Sequence, residues 1–457
     1  MAVTKIQIKE LTLLSIPLIL GQLSHMLASF ADRVMLGQYS TLSLASFGLV
    51  NNIHAPLLLI FIGVAMGITP IVGKMNGAGD NQDMPEVFKS GLKVSIITSV
   101  CCIAFLLGLY FYLNEIASYL DYDMTVIRES ENYFLYIIAS FIPYTLFLAV
   151  KQFQEGLEVV RPMMIGAVIG NAVNIILNYL LIYGNFGFPE MGTDGAGLGT
   201  FLGRMVMMLT AIAAIVMSTE GRGGLKGKLK LKGLFKTTRY GKKIISIGGP
   251  IGFQFAMEGG AFAAGAFIIF NLGAIPLAAH EIAIGLAAFT FMTASGVGQG
   301  ATIQVSNLIG AGNFKKMKNA ADSSYVIVAA FMFLTALIFV IFRNQLPYIF
   351  VDDANVAEIA STLLLIAGLF QLVDGIQING MGVLRGMEDV KVPTYTTIFG
   401  YWVLAIPLGY LMAMEWGFGA TGPWYGYLIG LTVVGGILYF RYRRKAQFYL
   451  DQLSSQA

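Results

Sequence analysis

Charged side chains are scarce in this sequence: Asp, Glu, Lys and Arg make up 12% of its 457 residues, about half the share usual in a soluble protein. No stretch carries enough charge to clothe a separate water-soluble domain with its own core. Cysteine is nearly absent as well. The only two, Cys101 and Cys102, are adjacent within an apolar run, so they neither cross-link the fold nor offer spaced metal ligands, and core packing is their expected role. Of the three histidines, His25 and His54 have no ligand spacing with each other or with cysteine, and buried hydrogen bonds account for them. No structural metal is expected. A phosphate-binding glycine loop, a His-Glu-x-x-His helix and a Gly-x-Ser-x-Gly elbow are all missing. Their absence argues against an ATP-driven pump and an intramembrane hydrolase, so neither catalytic residues nor a cofactor is expected.

Hydrocarbon is what the chain has in abundance: 56% of its residues are hydrophobic and the mean hydropathy is +0.71. A bilayer must therefore be its solvent. Twelve runs reach the length of a bilayer crossing, about 20 residues: 11–34, 46–72, 90–113, 132–150, 163–183, 195–217, 245–270, 277–305, 326–342, 359–383, 394–414 and 423–440. The expected fold is an all-α polytopic membrane protein with twelve transmembrane helices. All 29 Lys and Arg except Arg33, Arg128, Arg204 and Arg343 fall near the chain ends, in the segment 218–243 or in the other even-numbered turns. By the positive-inside rule both termini are cytoplasmic, in a multi-pass protein of the cytoplasmic (inner) membrane. Lys5 and Lys9 precede an apolar run that is long, contains Asp32 and lacks a small-residue cleavage site, which reads as a retained helix rather than a secretory signal. The basic segment 218–243 alternates Lys with Gly and Leu between two crossings. It fits a cytoplasmic linker lying on anionic headgroups better than a nucleic-acid patch.

The chain also repeats itself. Gly77-Ala78-Gly79 returns as Gly310-Ala311-Gly312, 233 residues later, and Pro17 returns as Pro250 at the same offset. Glu155-Gly156-Leu157-Glu158 ahead of Pro162 is echoed by Arg385-Gly386-Met387-Glu388 ahead of Pro393, and Gly195-Ala196-Thr200 more weakly by Gly419-Ala420-Thr421. Two units of six helices each enter from the same side, so the repeat is parallel. Its pseudo-two-fold axis is expected along the membrane normal, with a lobe at 1–217, a linker at 218–243 and a second lobe at 244–457, flanking a central substrate cavity.

Four acids interrupt the apolar runs: Asp32, Glu258, Glu281 and Asp374. A carboxylate at mid-bilayer costs roughly 2.5–3.5 kcal/mol on insertion scales, so it normally faces a bundle interior or water and marks an ion or substrate path. A proton, a metal cation or an organic cation can each neutralise it, and competition among them is the chemistry of exchange. Asp32 has two readings, an interfacial ion pair with Arg33 or a functional acid; adjacent residues on a helix do not face each other, which favours the second. Asn171, Asn174 and Asn178 form a polar stripe on one helix face, serving either as interhelical hydrogen-bond glue or, for Asn174 and Asn178, as partners of Asp32. Glu258 has Gln254 one turn before it, after Pro250, and Asp374 has Gln371 and Gln377 three residues to either side with Phe370 at i−4. Such a set of oxygens suits a hard monovalent cation as well as a proton. Glu281, next to His280, is either a helix-start cap or a further site acid. Arg204 needs a partner that the sequence does not identify.

Taken together, these residues resemble the multidrug and toxic compound extrusion family, in particular its bacterial NorM-type branch, over essentially the whole chain. The resemblance is carried by Ser29-Phe30-Ala31-Asp32 through Met35, Asn76-Gly77-Ala78-Gly79, Pro162 with Asn174 and Asn178, Pro250 with Glu258, Ala278-Ala279-His280, and Asp374 followed by Leu384-Arg385-Gly386. It implies two six-helix lobes forming a V, and export of cationic dyes and drugs against entry of sodium ions or protons. Carried over by position, Asp32, Asn174, Asn178 and Thr200 form the first-lobe site, and Glu258 with Asp374 forms the second-lobe coupling-cation site. Gln254, Gln371, Gln377, Phe370 and Glu281 are further candidates; where relatives commonly have Gln, this chain has Glu281. The paired Glu258 and Asp374 resemble the sodium-coupled branch, although protons remain an alternative. The expected partners are small organic cations and the lipid bilayer, with the protein acting as a monomer and binding no nucleic acid. The alternative reading is a lipid-linked oligosaccharide flippase, whose pyrophosphate substrate calls for a cation-lined cavity; here the in-span charges are mostly acidic.

Overall fold

The computed structural model of the protein describes residues 5–80, 82–119, 123–217 and 239–454. Among them, twelve helices are long and apolar enough to cross a membrane: α1 (Lys5–Tyr39), α2 (Thr41–Gly77), α3 (Met84–Phe111), α4 (Met124–Gly156), α5 (Arg161–Tyr183), α6 (Gly192–Val216), α7 (Gly241–Phe270), α8 (Ala274–Gly310), α9 (Phe314–Ile341), α10 (Ala354–Gly386), α11 (Lys391–Met414) and α12 (Thr421–Gln452). Lipid offers backbone groups no partner, and a helix satisfies all of them within one segment. Most of the helices outrun the apolar stretches that announce them. The clearest case is α12, expected to end at 440, which continues through Arg441 because Tyr442 and Ala446 are fully buried against the rest of the bundle. Most of the basic segment 218–243 lies outside the described residues.

The duplication reappears in the fold as matched local geometry. After α2 the Asp80 N–H returns to the Met75 carbonyl, and after α8 the Asn313 N–H returns to Leu308, both at 3.0 Å. Gly79 and Gly312 occupy the left-handed region in these turns, at φ +69° and +68°. Glu158 and Glu388 do the same after α4 and α10, at φ 63° and 57°. Thr69 Oγ1 donates to the Gln152 carbonyl at 3.0 Å, and its counterpart Thr302 Oγ1 donates to the Gly382 carbonyl at 2.7 Å. Glycine and threonine recur because two helices approach closely at the same place in each half.

Contacts gather the chain into two compact units, Met1–Ile19 with Phe253–Ala457, and Leu20–Gly252. This division differs from the expected boundaries at 217 and 244: the first stretch of α1 and the first stretch of α7 each cluster with the other half of the sequence. Close helix approach is the reason. In the unit Leu20–Gly252, a Cβ on Gly67 of α2 would lie 2.5 Å from the Ile244 carbonyl oxygen and 2.8 Å from the Gly248 nitrogen of α7, and one on Gly63 would collide with Gly252. In the other unit, Gly296 and Gly300 of α8 meet Ile19 and Ser15 of α1 in the same manner. These four glycines are related by the offset of the repeat. A Gly67→Leu variant has no room and should lose about 1–3 kcal/mol to overpacking. The check is thermal unfolding in detergent, with Gly21→Ala, whose Cβ meets nothing within 4 Å, expected to melt like the parent.

Candidate functional site

The first site is built from residues of α1, α5 and α6 that lie within the unit Leu20–Gly252. Asn178 is fully buried, and its Nδ2 donates to Asp32 Oδ1 at 2.6 Å. Asn174, one turn earlier on α5, completes the group once its amide is oriented by its neighbours. With its oxygen taking the Thr200 N–H at 3.1 Å and the Thr200 hydroxyl at 3.3 Å, its nitrogen donates to Asp32 Oδ1 at 3.3 Å. The four residues expected together are therefore together. Asn171 takes the other role that its stripe allows, donating to Ser24 Oγ at 2.8 Å and tying α5 to α1. Arg33 is exposed, and no ion pair joins it to Asp32 among the described residues.

The second site is built from residues of α7, α10 and α11 that lie in the other unit. Glu258 Oε1 accepts from Gln377 Nε2 at 3.2 Å and from the Tyr401 hydroxyl at 3.0 Å. Asp374 is buried on the same face of α10, one turn before Gln377, and interacts electrostatically with Glu258. Gln254 lies one turn below Glu258 and donates to Thr397 Oγ1 at 3.3 Å and to Met381 Sδ. Gln377 Oε1 has no hydrogen-bond partner although the residue is fully buried, so the site holds an unused acceptor beside two carboxylates.

Tyr401 is the residue that reading the sequence missed. It sits in a π-helical stretch of α11, Phe399–Ala405, and such stretches concentrate at functional sites because the extra residue per turn re-aims side chains. The only signal for it in the sequence is a tyrosine inside an apolar run, and this chain has 21 tyrosines.

Three further candidates lie elsewhere. Gln371 accepts from Thr335 Oγ1 at 3.0 Å and joins α9 to α10. Phe370 packs edge-on against Trp424 and Phe262, at 5.7 and 6.4 Å between centroids, inside an apolar cluster with Leu363 and Tyr427. Glu281 is exposed in the third turn of α8. That helix begins at Ala274 with Gly273 as its N-cap, so Glu281 does not cap the helix start. The two histidines are accounted for by packing and backbone contact: His54 Nδ1 lies 3.0 Å from the Val50 carbonyl, and His25 meets the Tyr144 ring edge-on at 5.9 Å.

The buried carboxylates sort into two kinds. Glu155 has Lys151 at 3.0 Å, Asp322 has Lys318 at 2.8 Å, and Asp389 has Arg441 at 2.6 Å and Lys445 at 3.0 Å. Each is neutralised by a fixed cation at a helix end. Glu258 and Asp374 are buried within their spans and Asp32 is half-buried, yet no Lys or Arg forms a direct ion pair with them among the described residues. The hydrogen-bond partners of Asp32 and Glu258 are neutral amides and a phenol hydroxyl. Neutral partners solvate such a carboxylate without cancelling its charge.

Comparison with known proteins agrees with this architecture. The MatE family pattern matches residues 17–180 and 250–411, the two halves of the repeat. A probable multidrug resistance protein NorM of Pasteurella multocida is 30% identical over 447 residues, covering 96% of this chain and 94% of its own. The multidrug resistance protein NorM of Photobacterium profundum is 28% identical over 444 residues, with 95% of each chain covered. Among solved structures, the bent form of the Vibrio cholerae MATE transporter VcmN superposes with a TM-score of 0.84 at 18% identity, covering 98% of this chain and 99% of that one, which establishes the shared fold. Twelve crossing helices, a pattern matching both halves of the repeat and a relative aligned over nearly its whole length give one answer: the chain belongs to the MatE family, and it is a multi-pass membrane transporter rather than an enzyme.

Proposed function

We propose that this transporter exports small organic cations in exchange for sodium ions or protons, from a cytoplasmic membrane with both of its termini in the cytoplasm. The observation that carries the reading is a set of three carboxylates inside the spans, Glu258 and Asp374 buried and Asp32 half-buried, of which Asp32 and Glu258 accept their hydrogen bonds from neutral amides and a phenol. A carboxylate that a fixed cation neutralises has nothing to exchange; one held by amides and a phenol is neutral only while it is occupied. The names of the NorM relatives, both multidrug resistance proteins, support organic compounds as cargo. Glu258, Asp374, Tyr401 and Gln377 supply oxygens for the coupling cation, while Asp32 with Asn174, Asn178 and Thr200 takes a proton, a cation or the substrate. Each positive charge moving inward releases about 2.3 kcal/mol per 100 mV of membrane potential, which is the driving force for export. The protein acts as a monomer in this scheme.

The test is ethidium efflux from proteoliposomes on which sodium and pH gradients are imposed separately. Efflux should follow one gradient or both, and equal rates with neither imposed would remove exchange from consideration.

A further inference from the structure

Resting on that reading and extending it, we infer that Arg204 is the positioning residue of the Asp32 site, a fixed interior cation that limits how tightly Asp32 holds its mobile cation and so speeds release. Arg204 lies in the middle of α6. It follows Thr200 by one turn of α6, on the same helix face, and Thr200 belongs to the Asp32 group. Its Nη1 donates to Ser140 Oγ at 2.7 Å, and its guanidinium lies over the Tyr144 ring, 4.7 Å from the centroid. Ser140 and Tyr144 are themselves one turn apart on α4, so a single helix face anchors the cation twice. No carboxylate forms an ion pair with it among the described residues.

The charged and titratable groups within its electrostatic reach are Asp32, His25, His54, Tyr133 and Tyr144. Asp32 is the one acid in that set. A direct pair would lock the carboxylate, as it does at Asp322 and Asp389. Held at a distance by a hydroxyl and an aromatic face, the guanidinium instead repels any cation that settles on Asp32 without taking its place. Arginine suits this task because it stays charged when buried and lies flat on an aromatic ring. A site without such a residue would gain affinity and lose turnover.

The experiment uses the full chain in proteoliposomes and reads initial ethidium efflux against sodium chloride at fixed pH, with a second series driven by a pH gradient without sodium. Arg204→Gln should lower the half-saturating concentration of the driving cation on the order of tenfold and reduce the maximal rate to a similar degree. Arg204→Lys, which keeps the charge, should restore both. Ser140→Ala keeps the charge and frees the guanidinium to swing toward Asp32, so half-saturation should move the opposite way. In an Asp32→Asn background Arg204→Gln should have no further effect. Unchanged half-saturation in both Arg204→Gln and Ser140→Ala would overturn the inference, as would Arg204→Lys behaving like Arg204→Gln. Undiminished efflux in Asp32→Asn would instead overturn the exchange role of Asp32 itself.

Discussion

Replacing Glu258 with Gln should reduce ion-driven dye efflux by at least about a hundredfold while leaving the protein folded, because it removes a cation's counter-charge and little else. A glutamine side-chain oxygen can still accept from Tyr401 and Gln377, which hold Glu258 at 3.0 and 3.2 Å, so the local hydrogen bonds survive. The buried charge does not. Stability should therefore hold or rise by about 1–2 kcal/mol, since an amide is cheaper to bury than a carboxylate. Asp374→Asn should behave alike, and the double variant should fall no further than either single one, because residues that act as one unit give non-additive losses. Efflux and thermal unfolding measured on the same preparations decide the matter. Wild-type efflux from both single variants would exclude this pair as the coupling site.

The second large effect is expected at Asp32. Asp32→Asn keeps an acceptor for Asn178 Nδ2, now 2.6 Å from the carboxylate, and removes the one acid in that site. Efflux should drop by at least about tenfold, the minimum for losing a charge partner worth about 1.4 kcal/mol or more. Glu258 and Asp374 are untouched in this variant, so any rise in melting temperature that sodium gives the parent should persist in it. A variant that has lost both efflux and the sodium response would show that the two sites do not act separately. Conversion of Asn171 to Ala, by contrast, breaks only the hydrogen bond to Ser24; it should cost stability of about 1 kcal/mol and leave half-saturation for the driving cation unchanged.

Much of this arrangement is legible in the sequence. The crossings were legible because hydrocarbon tolerates no unsatisfied backbone, which forces long apolar helices. The duplication was legible because turns and close helix contacts accept very few residue types, so Gly79 and Gly312 recur with the same backbone conformation. Asp32, Glu258 and Asp374 stood out because an acid in an apolar run is costly to insert and therefore rare. Other features could not be seen this way. The departure of Phe370 into an apolar cluster and of Gln371 toward Thr335 depends on which neighbour each helix face meets. Tyr401 was hidden because a π-helical stretch breaks the 3.6-residue periodicity by which facing residues are recognised.

The sequence by itself determined the class of solvent, the number of crossings, the repeat and the identity of the acids, since each follows from the cost of placing a given residue type in oil. Only the tertiary structure decided that Asp389 is neutralised by Arg441 and Lys445 while Asp32 and Glu258 are left to amides and a phenol. It likewise decided that Arg204 rests on Ser140 and Tyr144 instead of on an acid. Lys151 with Glu155 and Lys318 with Asp322 follow the i, i+4 spacing of one helix, whereas the contacts of Asp389, Glu258 and Arg204 join helices far apart in the chain, and no pattern along one helix encodes those.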